Sequence, residues 1–75
     1  MAEDLTDEEL PGYALLHCRT PVGAFHKKHV SRLLRMAGED KQADICDRSI
    51  REWYYLGPES VDPLVEQIND KRRKE

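Results

Sequence analysis

The sequence predicts an all-α domain: a small bundle of three main helices at about 24–37, 40–56 and 60–72, with a short N-terminal helix or strand near 13–19. Two observations carry that expectation. Apolar residues recur at helical spacing from Phe25 to Ala37, from Ala43 to Tyr54 and from Val61 to Ile68. Helix breakers fall between those stretches, at Thr20-Pro21, Gly38 and Gly57-Pro58. The connections left between helices are short, which suits roughly antiparallel neighbours. The 75 residues fit one domain, read as 13–72, with an acidic, flexible leader at 1–12 and a tail at 73–75.

In chain order, Thr6-Asp7-Glu8-Glu9 has the form of a capping box, with Leu5 and Leu10 placed as a hydrophobic staple. Pro11-Gly12 follows at once, so a single helical turn is expected there. Tyr13 to Arg19 (YALLHCR) suits either a short buried helix or a buried strand. Ala and two Leu favour helix, and no second strand is evident for it to pair with. On the next helix Phe25, Val30, Leu33, Leu34, Met36 and Ala37 share one half of the wheel, together with His26 and His29. Lys27, Lys28, Ser31, Arg32 and Arg35 share the other half, and Gly38 suits the residue past the helix end. The helix at 40–56 is expected to bury Ala43, Ile45, Cys46, Ile50, Trp53 and Tyr54. Asp44/Arg48, Asp47/Arg51 and Arg48/Glu52 would neutralise its outer face. The last helix carries Val61, Leu64, Val65 and Ile68 as a narrow apolar stripe and ends in Lys71 to Lys74, where the helix dipole favours cations.

Charge is unevenly distributed. The chain holds 15 acidic residues and a net charge of −3, yet none of the acids lies between Leu10 and Gly38. That stretch contains Arg19, Lys27, Lys28, Arg32, Arg35 and all three histidines. Lys27, Lys28, Arg32 and Arg35 fall on one helix arc with no carboxylate on that helix to neutralise them. Such a ridge fits an acidic protein surface or phosphates, and the acidic leader could fold back on it as an autoinhibitory clamp or a simple salt bridge. The negative net charge puts a protein partner with an acidic surface ahead of nucleic acid. Tyr55 points to the polar side of its expected helix and is a candidate interface anchor.

The expected function is therefore that of a small non-enzymatic regulatory protein. It docks on a larger protein assembly through Lys27, Lys28, Arg32, Arg35 and Tyr55. Transcription, with RNA polymerase as the assembly, is the setting suggested by analogy with small free-standing regulators. A second reading is a dimeric regulator that binds DNA or RNA directly. Arg48-Ser-Ile-Arg-Glu-Trp53 resembles the end of a helix-turn-helix recognition helix, although the turn glycine is too distant. YALLHCR followed by two helices has the order of a ribbon-helix-helix chain. A third reading is a zinc-stabilised interaction module using His17, Cys18, His26, His29 and Cys46, without the close ligand pairs that structural zinc sites show.

No cofactor is expected. The glycines are too scattered for a phosphate loop, and no serine has a nucleophile-elbow context. No apolar run approaches a membrane span. The N-terminus lacks signal-peptide features, so a cytoplasmic location with Cys18 and Cys46 reduced is expected. Oligomeric state is open at this point.

Overall fold

A computed structural model describes residues 5–74. The order is α1 (Leu10–His17), β1 (Ala24–His26), α2 (Lys27–Met36), α3 (Asp40–Arg48), β2 (Trp53–Tyr55) and α4 (Pro58–Lys74). The molecule is mostly helical, as expected, with the addition of a two-stranded antiparallel sheet. The first four residues of the leader and the last residue of the tail lie outside the described residues.

The capping box forms. The Thr6 N–H donates to Glu9 Oε1 at 3.2 Å and the Glu9 N–H donates to Thr6 Oγ1 at 3.3 Å. That turn leads straight into α1, which starts earlier than the sequence suggested. Pro11 stands in the first turn of α1, where no N–H is needed, so it admits the helix instead of stopping it. Leu10 and Pro11 are buried, so the leader as read to residue 12 gives up its last three residues to the folded domain. Residues 13–17 are helix, which settles the choice left open for YALLHCR.

The expected helix at 24–37 begins three residues late. His26 is extended (φ −68°, ψ 144°), and its ring Nδ1 accepts from the Lys28 N–H at 3.2 Å as the N-cap. Ala24–His26 are thereby released to form β1. At the other end Gly38 takes φ 86°. The Gly38 N–H donates to the Arg35 carbonyl at 3.0 Å and the Glu39 N–H to the Leu34 carbonyl at 2.8 Å, the paired closure of a Schellman motif.

The expected helix at 40–56 stops at Arg48. Ser49 is extended, and its hydroxyl accepts from the Arg51 N–H at 3.0 Å, a local turn that competes with helix continuation. Trp53-Tyr54-Tyr55 then follows its aromatic preference for strand. It pairs with β1 in the register Ala24↔Tyr55, Phe25↔Tyr54, His26↔Trp53. The ladder is extended on both sides by Lys27 N–H to the Glu52 carbonyl and Leu56 N–H to the Gly23 carbonyl.

Ile45 within α3, and Ile50 and Trp53 beyond its early end, are exposed, against the expectation that they are core. The last helix runs 58–74 rather than 60–72, starting at Pro58. Leu10 and Ala14 of α1, Phe25 of β1, Leu33 of α2 and Val61 and Ile68 of α4 form the centre of one hydrophobic core. Arg19 ties α1 to α4 through Asp62 at 2.8 Å, and that carboxylate raises the Arg19 pKa further above its ordinary value.

Candidate functional site

The structure does not keep the four ridge cations together as a free basic face. Lys27 donates from Nζ to the Ser49 carbonyl at 3.1 Å, at the C-terminus of α3, where the helix dipole favours a cation. Arg35 bridges two carboxylates of α3, Asp44 at 3.1 Å and Asp47 at 2.6 Å. Arg32 binds Asp7 at 2.6 Å and the Leu5 carbonyl at 3.0 Å. The expected absence of neutralising carboxylates holds along α2 itself and fails in three dimensions. The acids come from the leader and from α3. The expected self-neutralisation of the 40–56 helix fails for the same reason. Asp44 and Asp47 turn to Arg35, while Arg51 lies past the end of α3 and stacks 4.8 Å from the Tyr54 ring centroid.

Lys28 is the exception. It is exposed, and its ammonium has no hydrogen bond or ion pair among the described residues. It stands in the first turn of α2, which contains Lys27, Lys28 and His29 and no acidic residue. Helix N-termini carry the positive end of the macrodipole and ordinarily gather carboxylates. Cations placed there raise the local potential, and a carboxylate or phosphate from outside would offset it.

Lys28 and Arg32 form one edge of a groove of about 470 Å³, lined also by Tyr13, Ala24, His26, His29 and Trp53. Each wall follows from the fold. His26 and Trp53 face each other across the sheet, with ring centroids 5.1 Å apart and nearly perpendicular. Tyr13 reaches over from α1, 5.7 Å from the His29 ring. Tyr13 also stacks on His17, whose Nε2 hydrogen-bonds the Ala24 carbonyl at 2.7 Å and so fixes the edge of β1. Trp53 is 51% exposed and Tyr55 70% exposed on the outer side of the sheet.

Of the residues expected from sequence, Lys28 and Arg32 line this groove. Tyr55 lies beyond it on the outer sheet face, opposite Ala24, and Lys27 and Arg35 hold α3 against α2. Trp53 and Tyr13 are not among the site residues expected from sequence, and His26 and His29 are expected there only as zinc ligands. Reading residues 53–55 as helix sent Trp53 to the core, whereas three consecutive aromatics after Ser49 were a strand signal.

Among the described residues, no three histidine, cysteine, aspartate or glutamate side chains gather as metal ligands. The zinc reading therefore has no converging donor set. His17 is engaged with Ala24, and His26 caps α2. Both cysteines are free thiols buried away from the groove, donating to the carbonyls of Leu15 and Lys27. No helix among the described residues is long and apolar enough to cross a membrane.

The Arg35 bridge has a consequence for acid stability. The Arg35 guanidinium, and after it the Ser31 hydroxyl, hold the Asp47 carboxyl below its ordinary pKa. A carboxyl with a lowered folded-state pKa stabilises the fold above its unfolded pKa, and that contribution is lost as pH falls through the folded value. Wild type should therefore melt higher than Asp47→Asn at neutral pH. The gap should begin to narrow near about pH 4 and close only as the pH falls through the lowered folded-state value. Thermal melts of the two proteins from neutral to strongly acidic pH check this.

Comparison with family models, curated proteins and solved structures gives no match for this chain.

Proposed function

We propose that the chain is a non-enzymatic docking module that engages an acidic surface of a protein partner through the groove between the N-terminal half of α2 and the sheet. The observation that carries this reading is the Lys28 ammonium, unpaired among the described residues, beside Arg32 at the positive end of α2, in a groove lined also by the half-exposed Trp53. An indole that is half in water with a cation nearby is the composition found at interface hot spots.

Direct binding to nucleic acid gains little from this arrangement. Three of the four ridge cations are already engaged, which leaves few charges to track a phosphate backbone. The ribbon-helix-helix comparison also loses support, because the segment it needs as a strand, YALLHCR, is helical over residues 13–17.

Affinity capture from a host lysate with mass spectrometry tests the proposal, using wild type, Lys28→Glu and Lys41→Glu as baits. Lys41 is exposed on α3, outside the groove, and its reversal makes the same change in net charge. A partner held by wild type and Lys41→Glu should be lost with Lys28→Glu. Equal capture by all three, or equal loss from both variants, would refute the reading. RNA polymerase, the assembly suggested by analogy, is the first partner to assay by name.

A further inference from the structure

Resting on the docking reading above, we infer that the groove takes an extended acidic peptide of the pattern acid–apolar–acid, and that the chain's own Leu5–Asp7 segment competes for its Arg32 end. The leader displays the chemistry. Arg32 NH2 donates to the Asp7 carboxylate at 2.6 Å and to the Leu5 main-chain carbonyl at 3.0 Å, and Nε donates to the same carboxylate at 3.2 Å. One guanidinium thus reads a side-chain carboxylate and a nearby backbone carbonyl of a single peptide segment. From the other side, Arg72 donates to the Asp7 carbonyl at 2.9 Å. None of the described residues occupies the half of the groove around Lys28 in this way.

Spacing selects the pattern. Lys28 and Arg32 are one helical turn apart, a rise of about 6 Å along α2. Alternate residues of an extended chain are about 6.6–6.8 Å apart and point the same way. Two carboxylates two residues apart therefore reach Lys28 and Arg32 together. The residue between them points away from the two cations, and the apolar surface the groove offers it comes from Trp53 and Tyr13. A peptide so bound must take Arg32 from Asp7, which makes the leader a built-in competitor whose removal strengthens binding.

Trp53 is the only tryptophan in the chain, so its emission reports on the groove directly. The test is a fluorescence titration of the full-length protein with a capped hexapeptide of alternating Glu and Leu. The matched Gln-Leu hexapeptide and an oligothymidine are run in parallel. The Glu peptide should give a saturable blue shift that the Gln peptide does not give and that Lys28→Glu abolishes. Asp7→Asn should tighten binding by about threefold or more, the scale of a single exposed charge pair. No response to the Glu peptide, an equal response to the Gln peptide, or an unchanged affinity in Asp7→Asn would overturn the inference. So would a response to oligothymidine alone. Should the peptide fail while capture of a partner still depends on Lys28, this inference falls and the docking reading stands. Capture that ignores Lys28 would remove both.

Discussion

Phe25→Ala should leave the chain without a cooperative thermal transition at ordinary temperatures. Phe25 is fully buried and pairs with Tyr54 across the sheet. Its ring meets His17 edge-on at 4.9 Å and Tyr13 edge-on at 6.2 Å. It therefore joins α1 to the core face of the sheet. Truncating a buried phenylalanine costs about 3–5 kcal/mol. At the usual 0.05–0.15 kcal/mol per residue, a domain of this size has a total stability of about 4–11 kcal/mol. The loss takes a large share of that reserve and all of it at the low end, because so small a domain has no second core to fall back on. Circular dichroism melts decide the matter. A cooperative transition within about 5 °C of wild type would contradict the assigned role of Phe25.

Trp53→Ala should do the reverse, leaving the fold intact while lowering affinity for the captured partner by about 30-fold or more. The indole is half-exposed, so its removal opens no cavity in the core, and the cross-strand contact with His26 that it gives up is worth about 0.2–1 kcal/mol. A tryptophan at the centre of a docking patch commonly costs about 2 kcal/mol or more when truncated. Calorimetric titration with the partner, alongside a thermal melt, separates the two effects. An affinity within about threefold of wild type would show that the ring stands outside the contact.

The sequence was informative where local chemistry decides. The Thr6–Glu9 capping box, the Schellman closure at Gly38 and the buried faces of α2 and α4 all follow from neighbours in the chain. It was misleading where a distant segment supplies the partner. Phe25 and Trp53 both fit a helical wheel, yet both are strand residues. The caps at His26 and Ser49 end the helical reading locally, and pairing across almost thirty residues stabilises the alternative. The same limit applied to the site. Whether Arg32 and Arg35 are free cannot be judged from α2, since Asp7, Asp44 and Asp47 come from the leader and from another helix. Lys28 was legible as a cation on an acid-free helix turn. Its setting among Tyr13, His26 and Trp53 depended on the unforeseen sheet.

The most direct test of the docking groove is a nitrogen-15 amide spectrum of the labelled protein titrated with its captured partner. The account predicts that the largest shifts fall on Ala24, His26, Lys28, His29, Arg32 and the Trp53 indole N–H. Shifts confined to α3 and the C-terminal half of α4, with the Trp53 indole unmoved, would contradict it.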